Sequence, residues 1–112
     1  KSTHMLSVGS DGIVPSLGNI IPDMYKKLYD AARSGDIELA TEIQEVTDTV
    51  SRINQNGKSL SESLAALKVM MNEFGLCKKN VLPPFLRLTE EEEKEIISMM
   101  TEMNLKSKVN LN

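Results

Sequence analysis

Tryptophan is absent from this sequence, and histidine and cysteine occur once each, as His4 and Cys77. One cysteine excludes an internal disulfide and a cysteine-based zinc site, and it suits a reducing, cytoplasmic setting. Positive charge is also short. Lys and Arg total 13 against 16 Asp and Glu, a net charge of −3. Nucleic-acid binding needs a basic patch to displace counterions, so that class is disfavoured. No apolar run approaches the roughly 20 residues that span a bilayer, no secretory signal is visible, and no asparagine begins a glycosylation sequon. What is present is ordinary globular material: 112 residues, 40% hydrophobic and 26% charged, enough for one domain.

Lys1-Ser2-Thr3-His4-Met5 reads as vector-derived sequence, which removes His4 from consideration as a ligand or base. Residues 6–14 then read as a short strand, or two strand pieces around Gly9-Ser-Asp-Gly12. Ile13 and Val14 favour extended backbone, and Pro15 restricts Val14 to it. A start inside such an element is what a fragment would show.

From Pro22 onward the apolar spacing is helical. Pro22 suits a first helical position, and Met24, Tyr25, Leu28, Tyr29 and Ala32 form a stripe that Gly35 ends. Asp36 caps a second helix with Ile37, Ala40, Ile43, Val46 or Thr47, Val50 and Ile53 on one face. Ser59 and Glu62 make a capping box for a third, with Leu60, Leu64, Leu67, Met70, Met71 and Phe74 inward. Gly75 closes it and Leu76 is placed to pack back. Pro83 and Pro84 forbid a helix over 81–88. Thr89 and Glu92 form a second capping box, and Ile96, Ile97, Met100 and Met103 face inward in a fourth helix. Residues 106–112 lack periodicity and read as a frayed tail. The fold class expected is mainly α, one short strand segment plus four helices at 22–34, 37–55, 60–74 and 90–104.

The chemistry-bearing residue types do not assemble into a catalytic constellation. The methionines fall on or beside apolar stripes, as packing residues do. The acidic run Glu90–Glu93 reads as a solvated first turn complementing the helix dipole rather than a cation site. Cys77 has Lys78 and Lys79 beside it, yet no imidazole to pair with. Tyr25 and Tyr29 lie four apart on a packing face. Gly9-Ser-Asp-Gly12 lacks the further glycine and lysine of a phosphate loop. No catalytic residue, metal ligand or cofactor is assigned.

The run Gly9-Ser-Asp-Gly-Ile-Val-Pro-Ser-Leu-Gly-Asn19 resembles the eighth barrel strand and following loop of the dihydrodipicolinate synthase / N-acetylneuraminate lyase family, which are Schiff-base aldolases. Leu28-Tyr-Asp-Ala-Ala-Arg-Ser-Gly-Asp36 resembles the end of that family's eighth helix, and the 40–53 stretch its long successor. The 64–76 helix ending in Gly75-Leu76 is similar too, as is Val81-Leu-Pro-Pro-Phe-Leu-Arg-Leu-Thr89 with its four glutamates. Together these motifs cover 6–105, in the family's order.

The resemblance implies the last third of a (β/α)8 TIM barrel with its helical extension. It divides the chain into 6–35 (last strand, loop and eighth helix) and 36–105 (three further helices). It also implies a lyase that joins or splits a carbon–carbon bond beside a 2-oxo acid such as pyruvate. The family's Schiff-base lysine, tyrosine proton relay and threonine-rich carboxylate turn lie in segments outside this sequence, and none of its own lysines matches. The resemblance assigns two substrate-binding positions: Val14, through its backbone carbonyl, and Ser16, through its hydroxyl. Pro15 departs from many members. The chain alone is therefore expected to be inactive, and to form a homo-oligomer through the 6–14 strand and the Met24–Leu28–Ala32 face. The alternative is a self-standing helical association module with no catalysis.

Overall fold

Backbone capping sets the helix boundaries. In a computed structural model, which describes residues 1–108, six α-helices occur: α1 (Ser2–Ser7), α2 (Pro22–Ser34), α3 (Ile37–Gln55), α4 (Leu60–Glu73), α5 (Glu90–Glu102) and α6 (Leu105–Lys108). A 3₁₀ turn covers Ser16–Asn19. Both capping boxes form. The Glu62 N–H donates to Ser59 Oγ at 3.3 Å and the Ser59 N–H to Glu62 Oε2 at 2.7 Å. The Thr89 box repeats this at 3.2 and 2.7 Å. Two helices end in Schellman pairs around left-handed glycines. At Gly35 (φ 87°) the Asp36 N–H reaches Ala31 O at 2.9 Å. At Gly75 (φ 71°) the Leu76 N–H reaches Met71 O at 3.0 Å. Leu76 itself stays largely exposed instead of packing back.

The four helices expected from the stripes are in place, but the strand is not. No strand occurs among the described residues, so the expected strand over 6–14, and the barrel remnant built on it, are overturned. Leu6 and Ser7 belong to α1, and only 12–15 run without helix or turn, Pro15 at φ −80° and ψ 134°. Extended backbone becomes a strand only when a neighbour's N–H and C=O groups complete a ladder, and the described residues offer no such neighbour. Residues 2–5, set aside in the sequence reading, form most of α1. Of the tail read as frayed, 106–108 are helical in α6, and 109–112 lie outside the described residues.

The chain forms two compact units, Lys1–Val50 and Ser51–Asn112. In the first, α1 packs on α2, and Leu6, Leu28, Ala31, Ala32 and Ala40 make one buried cluster with Ile13, Tyr29 and Ile43 against it. This removes the basis for association through Leu28 and Ala32: both are already covered. Thr3 is buried as well, its hydroxyl donating to Ala40 O at 3.1 Å.

In the second unit α4 packs on α5, and α5 on α6. Leu67 and Met70 are buried as the stripe implies, but so are Ala65, Ala66 and Val69, while Leu60 is 71% exposed. The buried face is thus set by small residues as much as large ones. Between α4 and α5 the chain is irregular, with a cis Pro83–Pro84 bond.

Candidate functional site

The segment assigned to substrate lies in the first unit, where 12–15 lead into the 3₁₀ turn. Its residues alternate: Ile13 packs on the buried cluster, while Val14 is fully exposed. That is the period of extended backbone, one face in and one out. The turn that follows is closed twice. The Gly18 N–H donates to Pro15 O at 3.0 Å, and Asn19 Nδ2 donates to Ser16 O at 2.8 Å. Buried Leu17, Ile20 and Ile21 anchor it from below. Upstream, the Tyr29 hydroxyl donates to Asp11 O at 3.2 Å, tying the segment's start to α2.

An open hollow lies along this segment, lined among others by Asp11, Ile13, Pro15, Tyr25, Lys26 and Tyr29. Val14 and Ser16 are adjacent in sequence to its wall but do not line it. Val14 points to solvent, and Ser16 is half-buried at the head of the turn. Burial pushes the Tyr25 hydroxyl up from its ordinary value, the Asp48 carboxylate adds to that, and a hydrogen bond with Thr47 opposes it. At neutral pH Tyr25 is therefore a neutral phenol. Lys26 pairs with Asp30 at 2.7 Å, both side chains well exposed, an arrangement worth little in water. Nothing in the hollow pairs a nucleophile with a base. No group of three or more His, Cys, Asp or Glu able to hold a metal occurs among the described residues.

Two buried residues that the sequence does not mark are not among the residues lining the hollow. Thr3 falls in the segment 1–5 that reads as vector-derived. Glu93 stands in an acidic run that reads as solvated, yet it is only 8% exposed. The signal for Glu93 was available: it stands three and seven residues before Ile96 and Met100, on their stripe.

The sequence profile of the dihydrodipicolinate synthetase family matches residues 2–103. The chain belongs to that family. It is 29% identical over 102 residues to an uncharacterized DapA-like lyase of Thermofilum pendens, covering 91% of this chain and 33% of that protein. It is 31% identical over 100 residues to an N-acetylneuraminate lyase of Clostridium perfringens, covering 88% of this chain and 32% of that one. Among solved structures, dihydrodipicolinate synthase of Bacteroides thetaiotaomicron superposes with a TM-score of 0.80 at 27% identity. That match covers 90% of this chain and 34% of the other. The chain thus spans about a third of the length of these family members. The family match takes in Ser2–Met5, in keeping with the buried, hydrogen-bonded Thr3.

Proposed function

We propose that this chain is the C-terminal part of a pyruvate-dependent (2-oxo acid) aldolase of the dihydrodipicolinate synthase type. In this reading it supplies active-site lining and subunit contacts, and the Schiff-base lysine comes from a segment outside these residues. The family match over 2–103 carries the proposal. Lys26, the lysine beside the hollow, is solvent-exposed and ion-paired, unlike the desolvated amine that imine chemistry uses. In the reaction proposed, a lysine amine condenses with the 2-oxo carbon, water leaves, and the resulting imine draws electrons from the carbon–carbon bond being made or broken. Val14 would border that carbon through its backbone carbonyl, and Ser16 would offer its hydroxyl to substrate oxygens. The closed turn supports this role, because Ser16 O accepts from Asn19 Nδ2 and the bond from the Gly18 N–H to Pro15 O closes the backbone around it.

Trapping with pyruvate and borohydride tests the reading. The 112-residue chain should emerge unmodified, whereas in a family-length protein carrying this segment borohydride should reduce the imine to an N-(1-carboxyethyl) adduct on a lysine outside it. In that longer protein, Ser16→Ala should lower kcat/KM by about tenfold, the scale of one hydrogen bond to a reacting substrate. An adduct on this chain alone would overturn the assignment. The second reading, a helical association module, draws on Leu82 and Leu86, which are 81% and 79% exposed. Sedimentation of the chain as an oligomer that traps no adduct when extended to family length would favour it.

A further inference from the structure

From Gly75 to Thr89 the chain crosses between α4 and α5 without regular structure. Leu82 and Leu86 are mostly exposed and Phe85 is partly so, so apolar burial gives this connection little hold. Its ties are polar instead. Asn72 Nδ2 donates to Cys77 O at 2.8 Å at the start, and the Phe85 N–H donates to Leu82 O at 3.0 Å within.

The remaining ties converge on one side chain. Lys79 Nζ donates to Glu93 Oε2, and Arg87 Nη2 approaches Glu93 Oε1 at 3.6 Å. Glu93 belongs to α5 and is buried, while Lys79 is partly and Arg87 substantially exposed. One carboxylate therefore holds both ends of the 79–87 segment and closes it at its neck. A buried carboxylate on an apolar stripe is costly to keep without partners, so the two cations and Glu93 depend on each other. Of the other glutamates in the run, Glu90 and Glu91 are exposed and Glu92, half-buried, is engaged in the Thr89 capping box; none takes part in these pairs.

We infer that Glu93 is a latch: its charge holds the 79–87 segment shut as a strap, and neutralising it releases the strap as a unit while α4 stays folded. The latch fixes the shape in which Leu82, Phe85 and Leu86 are presented. The Lys79 arm carries more of the closure, since it is the closer and less exposed of the two. This inference stands apart from the proposed aldolase role and does not need it.

Amide hydrogen exchange on the full chain tests it. In Glu93→Gln, amides in 77–87 should exchange at least about tenfold faster than in the unaltered chain, with α4 amides unchanged. Lys79→Gln should give a smaller acceleration over the same residues, and Arg87→Gln a smaller one still. If Glu93→Gln does not fold, Lys79→Gln decides, because its side chain lies partly in solvent. Unchanged exchange over 77–87 in the folded variants would overturn the latch. Equal acceleration in α4 would overturn it too, because Glu93 would then be a general support of the unit.

Discussion

The Thr3 N–H donates to Gln44 Oε1 at 2.7 Å, so a side chain 41 residues away caps the first turn of α1. Helix N-termini leave their first N–H groups unpaired, and Lys1 supplies no side-chain cap here. Gln44 takes that place from α3, beside the bond from the Thr3 hydroxyl to Ala40 O. Gln44→Ala should therefore destabilise the chain by about 1 kcal/mol, in the range of N-cap deletions. Thr3→Val should cost about 1 kcal/mol for the lost buried hydrogen bond. Urea unfolding followed by circular dichroism checks both, and an unchanged midpoint in both variants would contradict the cap.

Leu28 is completely buried in the cluster that includes Leu6 and Ala40. Leu28→Ala should cost about 2–5 kcal/mol through lost transfer free energy and the cavity left behind. Met24, half-buried on the same helix, should cost clearly less when truncated. Denaturant midpoints in the same buffer give the comparison, and equal losses would contradict the burial.

Glu62 is held below the ordinary carboxylate value, chiefly by the Ser59 hydroxyl and then by the Ser59 N–H. Its folded pKa is depressed, so its contribution is present above the unfolded pKa and fades as pH falls through the folded one. Acidification below the usual carboxylate range should thus weaken the start of α4, and Ser59→Ala should move the Glu62 titration up toward 4.5. Carboxyl-carbon NMR titration reads the shift directly.

Tyr25 titrates in the opposite sense. Burial raises its folded pKa above the ordinary 10.0, so the stability linked to it is intact below pH 10 and is lost as pH climbs through the folded value. Ultraviolet titration should show Tyr25 ionising above pH 10.0. Asp48→Asn should bring that transition earlier by removing a repelling charge, and Thr47→Val should push it later. A Tyr25 transition at the ordinary 10.0, unmoved by either substitution, would contradict this.

Where the sequence was legible, local chemistry decided the outcome. Ser59, Thr89, Gly35 and Gly75 carry their capping roles in their own side chains or lack of one, and the helices they bound lie where the stripes place them. What was not legible depends on partners distant in sequence. Ile13 and Val14 have strand propensity, but nothing among the described residues pairs with them. Thr3 is inconspicuous until Ala40 and Gln44 come beside it. Ala65 and Ala66 carry little hydrophobic weight in a stripe, yet both are buried. For the candidate site, Val14 and Ser16 were legible only through the family resemblance. Their spacing to each other has no chemistry of its own.

The elbow at Gly35 and Asp36 leaves α2 and α3 separated by two residues. Nothing lies within 4 Å of where a Gly35 side chain would begin, so space does not restrict that position; its backbone angle does. Length is restricted as well. One extra residue between Ser34 and Ile37, if wound into α3, would turn Ala40, Gln44 and Thr47 by about 100° about its axis, swinging them away from their partners. An insertion there scrambles a whole face, whereas one near Leu82 only lengthens an irregular crossing. Length variation in this segment should therefore gather between α4 and α5 and avoid the elbow.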